Sequence, residues 1–99
     1  MSTNEANSHI EFLNMKPWFE LRLEGDTALE KIELKSPSDS NVAGEIEQVD
    51  GGFLCRIVIV SSEWKFDVKE FARNPFMALQ RAAQSVEKEL YLWRKLRFA

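Results

Sequence analysis

One cysteine and one histidine are the residues of this 99-residue sequence that could together form a nucleophile and its general base. Cys55 lies within the apolar run FLCRIVIV, where burial opposes formation of the reactive thiolate. His9 lies in a polar N-terminal stretch, which would not hold a base at a fixed distance from its substrate. We therefore expect no catalytic residues, and we expect Cys55 to be a small apolar residue of the core.

Metal and cofactor sites find as little support in the sequence. A zinc site needs more ligands than one cysteine and one histidine provide. Glu45 and Glu47 share one side of a predicted strand and could bind a hard cation, but solvated carboxylates that face Arg56 and Lys69 are the commoner arrangement. The glycines at 51 and 52 precede a predicted strand and not a helix, so they form no phosphate-binding loop. We expect no metal, no cofactor and no enzymatic activity.

Charge is divided unevenly along the chain, although the formal net charge is only −3. Residues 1–50 hold 4 Lys/Arg and 11 Asp/Glu, a net charge of −7, whereas residues 51–99 hold 9 and 5, a net charge of +4. Such a division can mark a binding face, but it more commonly lets two halves of one fold attract each other. Without an overall positive field, the composition argues against nucleic acid or a membrane surface as the partner.

The sequence also indicates a compartment. The N-terminus MSTNEANSHI lacks the basic start and apolar stretch of a signal peptide. The longest fully apolar run, IVIV, is far shorter than the ~20 residues that span a bilayer. A single cysteine can form no internal disulfide. We expect a soluble protein of a reducing cytoplasm.

Hydrophobic periodicity predicts five strands that are joined by short turns. Residues 18–24 and 30–35 alternate between apolar and charged side chains, and the Gly-Asp-Thr sequence between them predicts a hairpin. Residues 42–49, 53–60 and 65–71 continue the series, the second of these being apolar on both sides. The later turns predict these facing pairs: Glu47–Arg56, Ile46–Ile57, Val60–Lys65, Ile59–Phe66 and Ile57–Val68.

A long helix is predicted over residues 74–98. Asn74 is a favourable N-cap, and Pro75 suits the first helical position. One apolar stripe, which we expect to pack on the sheet, comprises Phe76, Leu79, Ala83, Val86, Leu90 and Trp93. The predicted fold class is therefore α+β, an antiparallel five-stranded β-meander with one long C-terminal α-helix packed on one face. Residues 1–9 are expected to be a flexible tail, and residues 10–99 a single domain.

A sheet with one helix has one uncovered face, and this face is a candidate protein interface. The residues of strand 53–60 expected there are Leu54, Arg56, Val58 and Val60. An uncovered apolar strip is typical of a contact with a second molecule, and a homodimer is the form of this contact that we favour. Alternatively, residues 10–16, which could extend a strand or form a short turn of helix, fold over the strip.

The end of the helix carries both apolar and basic residues outside the stripe. Leu92, Leu96 and Phe98 need burial against something, so they join the candidate protein interface. Basic residues near a helix C-terminus are favourable without any partner. They could nevertheless contact nucleic acid, and the residues available for this alternative are Arg81, Lys88, Arg94, Lys95 and Arg97.

The segment GGFLCRIVIVSSEWKFDVKEFARNPFMALQRAAQSVEKEL resembles small uncharacterised bacterial proteins that end in a strand pair, a polar turn and an ALQ-A helix. The resemblance implies a bacterial or phage, cytosolic origin and a meander with a C-terminal helix, but no activity and no site residues. We interpret the chain as a non-enzymatic protein-interaction domain, in its sharpest form a toxin-neutralising (immunity-like) or regulatory binder. Its partner would contact either the open strip or the acidic face of the first hairpin (Glu20, Glu24 and Glu33). The alternative is a nucleic-acid-binding module that uses the basic C-terminal helix.

Overall fold

The computed structural model describes residues 9–97, with the backbone alone at residue 97. Its elements are β1 (Ile10–Leu13), α1 (Phe19–Lys35), β2 (Asn41–Val49), β3 (Gly52–Val60), β4 (Lys65–Ala72) and α2 (Pro75–Arg97). The four strands form one mixed sheet in the order β1-β2-β3-β4, in which β1 is parallel to β2 and the other neighbours are antiparallel. Both helices share one apolar core with the sheet and lie on the same face. Within residues 9–97 no helix is long and apolar enough to cross a membrane.

The α+β class is therefore confirmed, but the prediction of five antiparallel strands and one helix is wrong. The two segments predicted as a hairpin form the single helix α1. Their alternation was misleading because Leu23 and Leu34 are exposed, the latter by 81%, and contribute nothing to the core. The buried residues of α1 recur at helical spacing. They are Leu21, Gly25, Leu29 and Ile32.

Two glycines let α1 lie close to the sheet. A Cβ atom at Gly25 would lie 2.6 Å from Cγ2 of Ile10, and one at Gly44 would lie 2.9 Å from Cδ2 of Leu29. The Gly-Asp-Thr sequence thus serves close packing between α1 and β1 and not a hairpin turn. The next residue strengthens the same contact, because Oδ1 of Asp26 accepts a hydrogen bond of 2.9 Å from the backbone N–H of Ile10.

The segment of ambiguous structure forms the edge strand β1, so it extends the sheet and does not fold over the open face. Residues 1–8, which make up most of the predicted tail, lie outside the described residues. The predicted division into a tail and a single domain therefore stays a prediction.

The antiparallel registers are predicted correctly for one hairpin and wrongly for the other. All three predicted pairs between β3 and β4 are observed. Between β2 and β3 the loop is Asp50 and Gly51, with Gly51 at a φ of +81°, and not the two glycines. The register consequently shifts by two residues, which keeps every side chain on its predicted face. Arg56 pairs with Glu45 in place of Glu47, and Ile46 pairs with Cys55 in place of Ile57.

Helix α2 begins as predicted. Oδ1 of Asn74 accepts a 2.8 Å hydrogen bond from the N–H of Phe76, and this satisfies one of the free donors of the first turn. The buried face of α2 is centred slightly away from the predicted stripe, because a groove separates α1 from the flank of α2 that carries Phe76 and Ala83. The buried residues include Ala78, Leu79, Ala82, Val86 and Leu90, whereas Phe76 and Ala83 are partly buried beside them.

The contact between Gly25 and Ile10 can be tested with a double-mutant cycle. Gly25→Ala should destabilise the wild-type protein, because overpacking of this kind costs about 1–3 kcal/mol. In an Ile10→Ala background the same change should be much less destabilising, because the 2.6 Å contact with Cγ2 is gone, only the 3.1 Å contact with Cβ remains, and alanine is favoured over glycine in a helix by about 1 kcal/mol. Urea unfolding followed by circular dichroism measures the coupling free energy.

Leu34→Ala provides the control background, since Leu34 is exposed on the same helix. Gly25→Ala should there have the same effect as in the wild type. A coupling free energy between positions 10 and 25 that is indistinguishable from zero would show that the two residues do not restrict each other.

Candidate functional site

The two residues that could form a nucleophile and base differ in their environments, since one is buried and the other is exposed. Cys55 is fully buried on β3 beneath the helices. Burial, with a smaller contribution from the charge of Glu45, raises the pKa of its thiol to about 12. His9 is exposed at the start of β1, and its Nδ1 atom lies 3.4 Å from Oδ2 of Asp26. Among residues 9–97 no group of three or more histidine, cysteine, aspartate or glutamate side chains could hold a metal ion.

The uneven charge of the sequence becomes an uneven charge in space. Helix α1 packs mainly on β1 and β2, and α2 packs mainly on β3 and β4. The first half of the chain therefore occupies one side of the molecule and the second half the other side. Within the described residues, residues 9–50 carry 10 Asp/Glu against 4 Lys/Arg, and residues 51–97 carry 5 Asp/Glu against 9 Lys/Arg. The side of β1 and α1 is acidic, and the side of β4 and α2 is basic.

Arg73, Arg81 and Lys88 form what we term the β4-side basic surface. Arg73 is exposed in the connection between β4 and α2. Nη1 of Arg81 donates a 2.9 Å hydrogen bond to the carbonyl oxygen of Phe71, which holds this side chain against β4. Arg81 and Lys88 border one shallow depression of about 250 Å³, whose floor includes Glu70. The surface presents two side chains from one flank of α2 beside an edge strand.

The five basic residues proposed as nucleic-acid contacts do not form one surface. Arg81 and Lys88 lie on the flank of α2 that faces β4. Nη2 of Arg94 instead donates a 3.0 Å hydrogen bond to the carbonyl oxygen of Lys35 at the end of α1. Lys95 places its Nζ 5.5 Å from the centre of the Tyr91 ring. The side chain of Arg97 lies outside the described residues.

The predicted strip of β3 does lie on the face of the sheet opposite the helices, where three of its four residues are half-buried and Val60 is exposed. Arg56 is fixed there by Asp67, with Nη2 2.7 Å from Oδ2 and Nε 3.0 Å from Oδ1. These hydrogen bonds and the charge of the guanidinium hold the pKa of the Asp67 carboxyl below its usual value. Among the described residues nothing from either helix covers this open face.

The remainder of the predicted interface is elsewhere. Leu92 and Leu96 are exposed on α2, Leu96 by 77%, in the other layer of the molecule. Phe98 lies outside the described residues. The structure therefore does not bring the two parts of the predicted interface together, and the interface itself stays a prediction.

Sequence reasoning missed two apolar residues that share a row of the open face with Leu54. Leu54 pairs with Phe71 on one side and with Glu47 on the other, and Glu47 pairs in turn with Leu13. The position of Phe71 follows from its alternation with the charged residues of β4, but that of Leu13 requires knowledge of the parallel strand β1.

A groove of about 860 Å³ runs between the two helices. Its apolar lining comes from Leu23, Ala28, Phe76, Leu79 and Ala83, and its rim carries both acidic and basic residues. The groove separates the helices on their exposed side and adds no cluster of reactive groups.

The fold is similar to that of two solved structures. The N-terminal domain of Thermus thermophilus Protein Y shares 14% sequence identity with a TM-score of 0.66, and the match covers 85% of this chain and 93% of that chain. A ribosomal subunit interface protein from Coxiella burnetii shares 8% identity with a TM-score of 0.73, and the match covers 89% and 97% of the two chains. No protein-family model and no curated protein matches the sequence. At these identities the likeness establishes the fold, an α+β arrangement of a four-stranded mixed sheet and two helices.

Because Cys55 is buried, we expect its thiol to react very slowly with alkylating reagents in the folded protein. Iodoacetamide at pH 8 should label the native protein about a thousandfold more slowly than the urea-unfolded chain, because so little thiolate forms when the pKa is about 12. Since the pKa is raised on folding from 9.0, burial of the protonated thiol stabilises the fold below pH 9. This contribution is lost as the pH rises toward 12. Native labelling at the unfolded rate would contradict the assignment of Cys55 to the core.

Proposed function

We propose that this chain is a non-enzymatic binding domain that contacts a structured RNA surface, such as that of a ribosomal subunit, through the β4-side basic surface. The observation that carries the proposal is the separation of charge between the two sides of the sheet. The overall charge of −3 argues against nucleic acid only if the charges are mixed. With 10 of the 15 Asp/Glu of residues 9–97 on the β1 side, the opposite side keeps an excess of basic residues in spite of Glu70 and can approach phosphates.

The structural similarities support RNA binding over a purely protein-binding role. One structural neighbour is named a ribosomal subunit interface protein, and neither neighbour's name denotes an enzyme. A protein that binds a ribosomal subunit works in the cytoplasm, which agrees with the compartment expected from the sequence. RNA helices are recognised chiefly through shape, phosphates and 2′-hydroxyls, so a small basic surface on a rigid helix suits such contacts without any base-reading motif.

The chemistry of the basic surface is suited to phosphate. A guanidinium has five N–H donors, and the hydrogen bond to Phe71 uses one of those of Arg81, so the others are available for a phosphate. Arg73 and Lys88 supply further charge on the same side of the molecule. With so few cationic contacts we expect modest affinity and a shallow salt dependence, because the slope of log affinity against log salt is only about −0.9 for each neutralised phosphate.

A protein-interaction role remains the second candidate, because the open face of the sheet carries apolar side chains that neither helix covers. If the chain is a toxin-neutralising or regulatory binder, its partner would bind Leu54, Val58 and Val60. Chromatography on heparin separates the two candidates. A phosphate-binding surface should give salt-dependent retention, whereas the protein-binding hypothesis predicts that the protein flows through the column.

The basic surface can be tested with a pair of matched arginine substitutions. Arg81→Ala should weaken binding to purified bacterial ribosomal subunits, the small and the large being measured separately, and should lower the slope of log affinity against log salt by roughly 1. Arg94→Ala removes the same charge and an equivalent hydrogen bond to a backbone carbonyl, but on the flank that faces α1. It should leave both quantities near their wild-type values. Fluorescence anisotropy of the labelled protein at several salt concentrations measures them.

Lys88→Ala and Lys31→Ala form a second pair, since Lys31 is an exposed lysine on α1. Only the change at Lys88 should reduce binding. Equal losses within both pairs would indicate nonspecific attraction and not a contact at β4. No binding of the wild-type protein to either ribosomal subunit at low salt would refute the proposal.

A further inference from the structure

The open face of the sheet carries an unusual row of charges. Across the four strands in order, the cross-strand partners are Glu11, Glu45, Arg56 and Lys69. The two acidic residues are direct neighbours on β1 and β2, and the two basic residues are direct neighbours on β3 and β4. Like charges that face each other directly on neighbouring strands are destabilising. This arrangement therefore destabilises the isolated chain at both ends of the row.

The row has the symmetry of a self-complementary surface. A twofold axis that runs parallel to the strands between β2 and β3, in the plane of contact, places β1 of one copy over β4 of the other. The same rotation places β2 over β3. Each acidic residue then faces a basic one: Glu11 faces Lys69 of the second copy, and Glu45 faces Arg56 of the second copy. Rotational symmetry of this kind is the usual basis of homodimers.

The two ends of the neighbouring row supply apolar contact under the same rotation. Leu13 would lie over Phe71 of the second copy, and both side chains are exposed in the single chain, Phe71 by 45%. Leu54 would lie over Glu47, whose carboxylate accepts a 3.3 Å hydrogen bond from Nδ2 of Asn14. Farther along the sheet, Val58 would lie over Ala43.

From this complementarity we infer that the open face of the sheet binds a second copy of this chain, with the strands of the two sheets aligned. The inference is independent of the proposed RNA contact. A second copy is favoured over another protein because of the order of charges in the row, two acidic and then two basic. When this order is reversed, each acidic residue lies opposite a basic residue. The guanidinium of Arg56 can take part while bound to Asp67, since two of its five N–H donors are engaged there.

The area of the open face limits how strongly two copies of the chain can associate. Four strands about 4.8 Å apart, with about 3.3 Å per residue along the nine residues of β3, give a face of roughly 19 by 30 Å. Two such faces bury at most about 1,100 Å² in total, near the lower limit of specific interfaces. The dimer should therefore be weak, in reversible equilibrium with the monomer, and weaker still at high salt.

The test uses Glu11→Lys and Lys69→Glu, each in the full chain and without RNA. Either change places like charges opposite each other at both symmetry-related positions, so each variant alone should self-associate about tenfold more weakly than the wild type. An equimolar mixture should recover the wild-type strength, because both facing pairs of the mixed dimer are again of opposite sign. Sedimentation equilibrium measures all three associations.

Folding defects cannot imitate this pattern. Glu11→Lys puts a cation beside Glu45, and Lys69→Glu puts an anion beside Arg56, so the thermal midpoint of each variant at low concentration should equal or exceed that of the wild type. The inference is overturned if the wild type stays monomeric at about 1 mM, a concentration at which even a weak contact is populated. It is equally overturned if the single variants associate as the wild type does, or if the mixture fails to recover. A wild-type protein that dimerises at high concentration, but does not bind ribosomal subunits at concentrations where it is monomeric, would refute the proposed function alone.

Discussion

The close approach of α1 to the edge of the sheet is the constraint on which the remaining structure depends. It requires a hydrogen atom in place of a side chain at Gly25, where Ile10 occupies the space that a Cβ would need. The same helix presses Leu29 against Gly44 on the neighbouring strand. A strand of four residues has little stability of its own, so β1 depends on this contact and on the hydrogen bond from its first N–H to Asp26.

This packing also determines where the charges lie. Because α1 crosses over the sheet and returns the chain beside β1, the order of the strands in space equals their order in sequence. An excess of acid in the first half of the chain therefore becomes an acidic side, and the excess of base in the second half becomes a basic side. Had β1 paired with β4, both edge strands, β1 and β2, would have come from the acidic half of the chain, and neither of the surfaces described above would have formed.

Features that depend on residues close together in the sequence could be predicted, whereas features that depend on distant residues could not. Local signals were sufficient for α2, where Asn74 and Pro75 define the start, and for the β3–β4 hairpin, where alternation defines the register. They failed at α1, because the reason for Gly25 is a contact with Ile10, fifteen positions earlier in the sequence. The candidate basic residues show the same limit. Helical spacing separates Arg81 from Arg94, but only the position of α1 shows that Arg94 faces another helix.

The two surfaces are electrostatically linked through β4. In a dimer built on the open face, the acidic edge of one copy lies over the basic edge of the other, so the positive potential beside Arg81 is lower in the dimer than in the monomer. A phosphate-rich ligand that binds this side interacts more favourably with the monomer. By thermodynamic linkage, such a ligand shifts the equilibrium toward the monomer, and dimerisation weakens its binding by the same factor. The charge order of one sheet would thus couple self-association to RNA binding without any change in the fold.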